Sequence, residues 1–555
     1  MNRGNQIIAP IEGRIAASDL RLPARDWSLQ ESPNTYEVRA GDSYIRLRKF
    51  PYPETFVRLS NDKIVCGYKD PGLDVNALNA SLDSEFLIFE IDLKAKLLRI
   101  KADALTSLPV CYCAADGVFY FSYNVVELLK LSGAPIEYNM PALAEFLLLK
   151  TRYNNQSIVQ NVYYLMERET IEWNSNHEVK SVVPPNRFKI AIREIDDKAA
   201  VAEFGRLLDR AVKRKLALMK DVKVCTELSG GLDSAIVTQA LISANVSQPL
   251  STFSKILPGD QKKHQIERLK AFANTFGCEL NFIDLSDKYP LANLSSVSLV
   301  TEAFDPTLEP YRLGVVETAH QVLQKGCRVI FTGMGGDELL ERCVTQDSGF
   351  QGKLEEDIRK RWAIPQFFTK QILNAFFDKK NVYQSQRVPF FAHSVVQGPQ
   401  VRSPFFLERG IWPVSVLADS ELVNFCRSLP NRFLKRKEII RMYQQQSGFP
   451  GSFYNVVAKD SMYPLHRLGL ESNPDLIYGL FEKSRLAGLG LLDKDKLIDA
   501  YRRYLKEIKS EGRIREYFYE VVANEIFLRS MEQYEHRKKT TVWTSTRRET
   551  GKTRG

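Results

Sequence analysis

The stretch "DVKVCTELSGGLDSAIVTQALISA" (221–244) confines the fold more than any other part of this chain. A short apolar run ends in a serine–glycine–glycine turn, and an apolar helical run follows at once. A strand that feeds a helix through so tight a turn is the opening unit of a parallel α/β sheet. The pattern then repeats. "PLSTFSK" reads as a second strand, "HQIERLKAFANTFG" as a helix stopped at Gly277, and "CELNFIDLS" as a third strand; after a helix near 311–325 comes a fourth, "CRVIFTG". Both glycine-rich motifs, 229–234 and 333–338, fall at the carboxyl ends of strands, where sheets of this kind bind ligands. Beyond 355 the chain reads as mostly helical.

The first loop has the glycines of a phosphate-binding turn but not the lysine of a Walker motif. Gly230 and Gly231 let successive N–H groups face one anion, and the following helix adds its positive end. Ser229 and Ser234 supply hydroxyls. Asp233 would repel phosphate and suits a bridging magnesium ion instead. Such a loop holds a pyrophosphate rather than gripping a terminal phosphate, which implies adenylation, with ATP cut between its α and β phosphates. "FTGMGGDELL" (331–340) adds Gly333 for close approach and Asp337 as a second carboxylate for the metal.

Residues 1 to about 190 read differently. "SEFLIFEIDLKAKLLRIKAD" (84–103) and "VCYCAADGVFYFSY" (110–123) are hairpin patterns, the second turning at Asp116-Gly117, and "MPALAEFLLLK" (140–150) has helical spacing. "VVPPNRF" looks like a linker. The chain therefore divides into a β-rich domain (1–190), an α/β domain with a helical extension (195–535) and a basic tail (536–555), read as disordered.

Charge and cysteines exclude some roles. Of the formal net charge of +10, the last 20 residues carry +6, with seven Lys/Arg against one Glu, so the body is near neutral and offers no nucleic-acid stripe. The eight cysteines are scattered without CxxC spacing, which reads as reduced, buried thiols. The longest apolar runs fall short of the ~20 residues that span a bilayer, and no signal-peptide core opens the sequence; a cytoplasmic location is expected.

"LSGGLDS" followed about a hundred residues later by "TGMGGDEL" resembles the synthetase domain of the asparagine synthetase family, among the pyrophosphate-loop ATP enzymes. The resemblance continues in "QVRSPFF" (400–406), "VLADSELVNFCRSLP" (416–430) and "KEIIR" (437–441). "LDSEFLIFEID" and "FYFSYNVVELL" resemble the family's N-terminal glutaminase (Ntn-type) domain. The likeness covers roughly residues 80–535. It implies a doubly wound parallel-sheet domain that activates a carboxylate as an acyl-adenylate and lets a nitrogen nucleophile displace AMP. ATP and magnesium are the implied cofactors. The implied ATP site comprises Leu228, Ser229, Gly230, Gly231, Leu232, Asp233 and Ser234, then Phe253 and Ser254, then Thr332, Gly333, Met334, Gly335 and Asp337, with Asp233 and Asp337 on the metal. Lys459, in "VVAKDSMYP", matches the lysine that steadies the family's transition states once one residue is inserted after Pro450. If that gap is misplaced, Lys437 or another lysine of the helical region takes the role.

Three departures from the family pattern matter. Residue 2 is Asn2 where glutamine-using relatives place a cysteine, and the first cysteine is Cys66, so no glutaminase activity is expected. Gln400 stands where a glutamate is usual near the acceptor; it can position an amine but not take its proton, and Glu408 is a candidate base. His264-Gln265 replaces the common Asp-Glu pair. The reading is an AMP-forming amide ligase, resembling the relatives that form lactams, macrolactams or secondary metabolites. Its expected partners are small-molecule or peptide carboxylates and amines, not nucleic acid or membrane, with a homodimer left open. The alternatives are an ammonia-dependent asparagine synthetase, a tRNA-modifying adenylase and a non-catalytic nucleotide-binding protein.

Overall fold

The computed structural model describes residues 9–75, 82–148, 155–182, 191–244, 249–292, 311–340, 364–377, 391, 393–455, 462–506 and 514–550. The linker pattern at 182–188 falls almost wholly outside them, as do Asn2, Cys343 and Lys459.

The N-terminal half is built from two antiparallel sheets, one of seven strands and one of six. Both predicted hairpins are present. Phe86–Asp92 pairs with Leu97–Ala102, and Cys111–Ala115 pairs with Val118–Ser122. The second turns through Asp116 (φ 50°) and Gly117 (φ 74°), two consecutive left-handed residues, which is the backbone twist a two-residue hairpin needs. Apolar side chains of both sheets share one core, and the Phe89 and Phe121 rings meet across it at 4.6 Å. The predicted helix is Met140–Leu148; it packs on helix Lys370–Phe377 and on the last helix of the chain.

The C-terminal half holds a five-stranded parallel sheet. In spatial order its strands are Cys278–Asp284, Leu250–Ile256, Val224–Glu227, Val329–Phe331 and Trp412–Val414. The four predicted strands are all there. The fifth, three residues long and containing Pro413, escaped notice in the sequence because so short a run carries no period. Helices cover both faces. Leu232–Ser243 and Gln261–Phe276 pack on the side that carries Val224, Leu250 and Phe331. Arg312–Gln324 and His393–Leu407 pack on the side that carries Cys225, Phe253 and Ile330. Gly277 ends the second helix in a left-handed conformation (φ 74°), as its sequence position predicts.

Numbered along the chain, the strand order is 3-2-1-4-5. The chain reverses direction across the sheet between the first strand and the fourth. A crevice opens at such a switch point, outside the carboxyl ends of the two strands. Those two strands are the ones that lead into the loops at 229–234 and 333–338.

The last helix, Ile514–Thr550, runs on into the basic segment that the sequence suggested to be a disordered tail. Between Ile514 and Thr550 the chain has no glycine or proline to stop it. No helix among the described residues is long and apolar enough to cross a membrane.

Candidate active site

Two loops meet at the switch point. In the first, Gly230 is left-handed (φ +85°), a conformation that favours glycine. Ser229 and Ser234 then knit the turn: their hydroxyls lie 2.9 Å apart, the Ser229 N–H donates to Ser234 Oγ (3.1 Å), and the Gly231 N–H donates to Ser229 Oγ (3.2 Å). Helix Leu232–Ser243 starts here and carries Asp233 in its first turn. The second loop comes close enough to touch it. A Cβ on Gly333 would lie 2.7 Å from the Ser234 backbone nitrogen, and one on Gly336 would lie 2.2 Å from Asp233 Cγ. Glycine at 333 and 336 is what permits this approach.

The loops border a cavity of about 630 Å³, a size that suits a nucleotide-scale ligand. Ser229, Gly230, Gly231, Leu232, Asp233 and Ser234 line it, with Phe253, Gly333, Met334 and Asp337. Four other residues assigned from the sequence do not. Leu228 is buried, its N–H donating to the Phe253 carbonyl (2.9 Å). Ser254 is buried on the strand. The Thr332 N–H donates to the Val414 carbonyl (2.9 Å), and Gly335 packs beside Leu417 and Ala418. These four shape the floor and the loops.

Asp233 and Asp337, the two carboxylates assigned to a metal from the sequence, converge on one lysine. Lys437 Nζ stands between them, 2.5 Å from Asp233 Oδ2 and 2.8 Å from Asp337 Oδ1. Burial opposes the charge of this ammonium, but the two carboxylates outweigh it and hold Lys437 above the ordinary lysine range. Arg436 (φ 52°) and Lys437 (φ 59°) are consecutive left-handed, non-glycine residues. Each such residue costs about 1 kcal/mol or more, so the joint that aims Lys437 is a strained one.

Deeper in the cavity, Glu227 is clamped by Arg402 and by Lys255 Nζ at 3.0 Å. Burial raises the cost of its charge, yet the two cations prevail and hold the carboxyl below the usual range. Gln265 ties the first loop to the neighbouring strand. Its Nε2 donates to the carbonyls of Ser229 (3.1 Å) and Lys255 (2.9 Å), and its Oε1 accepts from the Leu257 N–H (3.0 Å). A glutamate here could not donate to either carbonyl. His264 beside it is exposed and points away, 3.7 Å from Glu267. Arg268, Arg436 and Arg441 complete a strongly basic lining.

Two of the sequence candidates sit elsewhere. Gln400 is half-buried on helix His393–Leu407 and is not among the lining residues, whereas Arg402 is. Two positions on a helix differ by about 200° around its axis, so only one of them can face the cavity. Glu408, the candidate base, also lies off the cavity. It contacts Arg409 (3.4 Å), its backbone carbonyl accepts from Arg48 Nη1 of the N-terminal half (2.5 Å), and burial pushes its carboxyl up. Cys66 is fully buried in the core, and burial pushes its thiol up to about 12, which disfavours the thiolate. Sequence reasoning missed Arg268, Arg402, Arg436 and Arg441 as lining residues. Arg402 had a signal, its place in "QVRSPFF".

Residues 203–397 match the family model described as asparagine synthase. The chain is 26% identical over 192 residues to the glutamine-hydrolyzing asparagine synthetase of Mesocricetus auratus, a stretch covering 34% of this chain and 33% of that protein. It is 30% identical over 140 residues to the Bos taurus enzyme, 24% of each. The match thus spans about a third or less of these relatives' length. Among solved structures, a U34-tRNA thiolase from Methanococcus maripaludis aligns at 13% identity and TM-score 0.26, over 59% of this chain and 91% of that one. An NH3-dependent NAD synthetase from Campylobacter jejuni aligns at 12% and 0.24, over 57% and 99%.

Proposed function

We propose that this chain, which carries an asparagine synthase domain at residues 203–397, is an AMP-forming amide ligase. It adenylates a carboxylate with ATP and joins it to an amine. The observation that carries this reading is the pair of facing loops at the sheet's switch point. One is a glycine turn at a helix start whose two serine hydroxyls would suit an anion, and both aim carboxylates at one cation position. The donor set fits magnesium: Asp233 and Asp337 are hard oxygen ligands and already converge on a positive group. Magnesium bound there would neutralise charge on the departing pyrophosphate. The loop N–H groups and the start of helix Leu232–Ser243 would hold the phosphates in place. The buried thiol of Cys66 supports an amine acceptor over glutamine as the source of nitrogen. The basic rim, with Arg268, Arg436 and Arg441, suits an acidic donor.

A second reading, asparagine formation from aspartate and ammonia, draws on the similarity to asparagine synthetases. One experiment addresses both. Phosphorus NMR of ATP incubated with the enzyme, magnesium and a panel of carboxylate and amine pairs, with aspartate plus ammonium among them, should show AMP and pyrophosphate with one productive pair. ADP and orthophosphate would refute the ligase reading. Turnover with aspartate and ammonium alone would select the second reading.

A further inference from the structure

The Lys437 ammonium occupies the position into which both metal-binding carboxylates point. A divalent ion held by Asp233 and Asp337 would meet this ammonium at contact distance, and two cations that close repel strongly in a partly buried site. The geometry points to Lys437 as a tethered counter-cation that competes with a divalent ion for the metal position, so that the ion enters only together with nucleotide. This inference rests on the magnesium assignment to Asp233 and Asp337 made above.

Three observations carry it. First, the contacts are direct on both sides, 2.5 Å and 2.8 Å, so neither carboxylate is left to a free ion without displacing the lysine. Second, Lys437 reaches the carboxylates from a separate element. It is the N-cap of helix Glu438–Gln446, fixed to the rest of the domain by Tyr443 and Gln444, which bond Gln239 and the Leu232 carbonyl on the helix that carries Asp233. The ammonium is thus presented by a firm support. Third, between that support and the preceding segment lies the left-handed pair Arg436–Lys437, with the Arg436 carbonyl pinned by Arg441 Nε at 2.9 Å. Rotation of the long lysine side chain, or relaxation of this pair, moves the charge off the carboxylates without unfolding anything.

Nucleotide changes the balance. A free divalent ion brings charge of the same sign as the lysine and nothing for the lysine to bind. An ion that arrives on a triphosphate brings excess negative charge, on which the displaced ammonium can settle within the same cavity. Metal and nucleotide are then coupled by the lysine, and each raises the affinity for the other.

Manganese binding, followed by the loss of the free-ion electron spin resonance signal, tests this without turnover. The full-length enzyme alone should bind manganese weakly. Lys437→Met, which keeps the apolar stem and removes the cation, should bind it at least about tenfold more tightly. Lys437→Gln, measured alongside, guards against a local distortion peculiar to methionine. With α,β-methylene ATP present, the gap between wild type and both variants should shrink. Unchanged or weaker manganese binding by both variants in the absence of nucleotide would overturn the inference. If wild type still bound manganese with the analogue in that case, the magnesium assignment would stand. If Asp233→Asn left manganese binding with the analogue unchanged, the magnesium assignment and the inference would fall together.

Discussion

Glu227 and its two cations show how much of the site lies beyond the reach of the sequence. Glu227 closes a predicted strand, Lys255 lies on the next, and Arg402 comes from a helix nearly 150 residues further on. Each residue taken singly reads as a surface charge. Only the sheet order makes them one cluster. The loop residues were legible because their chemistry is local: glycines, hydroxyls and a carboxylate within six positions. Gln265 was noticed as a substitution, but its role as a strap became visible only with the carbonyls it binds. Lys459 lies outside the described residues, and Lys437, the fallback, is the lysine that reaches the two carboxylates. The contrast between Gln400 and Arg402 can be measured. Arg402→Ala leaves Glu227 largely buried with only Lys255, a loss of about 2–3 kcal/mol once its partial exposure is allowed for. Gln400→Ala, off the cavity, should stay within about 0.5 kcal/mol of wild type. Urea unfolding of the two variants gives both values, and equal losses would mean that position 400 matters in a way its placement does not explain.

At the scale of elements the sequence was a good guide wherever a period or a turn signal ran long enough. Four of five parallel strands, the helix stop at Gly277 and the Asp116-Gly117 hairpin all follow from local chemistry. What escaped was short: a three-residue strand with a proline. The strands of the six-stranded sheet also hold an arrangement that no single strand reveals. Glu90 accepts from Lys63 (2.9 Å), from Arg99 (3.1 Å) and from Lys101 (3.2 Å), which come from the strands on either side. Burial works against its charge, but the cations prevail and hold the carboxyl at about 2. In the unfolded chain a glutamate titrates near ~4.3. Folding therefore favours the ionised form. The contribution is fully present above ~4.3 and is lost as pH falls toward 2. Glu90→Gln should lower stability at neutral pH and lose most of that deficit by about pH 2.5. Denaturant titrations of both proteins at the two pH values check this, and a deficit independent of pH would mean that packing, not charge, is what the substitution removes.

For the molecule as a whole, the question is what holds the β-rich N-terminal half against the half that carries the two loops. The interface supplies a physical reason. Lys215, buried on the long helix Asp197–Leu218, reaches across to Glu85 (2.8 Å) and Asp70 (3.6 Å) of the N-terminal half. Tyr52 donates to Asp70 (2.7 Å), and the Trp412 indole N–H donates to Glu85 (2.5 Å). Trp412 also sits edge-on to Phe50 at 5.3 Å, and its strand pairs with the one that leads into the Gly333 loop. Arg214 and Ser420 converge on Asp83 beside it. The fifth strand of the parallel sheet thus packs its tryptophan into the other half, and the two halves share one core. Two charges out of water are costly unless paired, so removal of one partner is worse than removal of both. Lys215→Met should cost about 3–5 kcal/mol, because it strands Glu85 and Asp70 in the interface. Adding Glu85→Gln should recover part of that loss, since the glutamine needs no counter-charge and can still accept from the indole. If the halves are one cooperative unit, the single variant should shift the whole unfolding curve, with tryptophan fluorescence and far-ultraviolet circular dichroism moving together. Two separate transitions would show instead that the interface is dispensable, and that the sheet carrying the two loops stands without its neighbour.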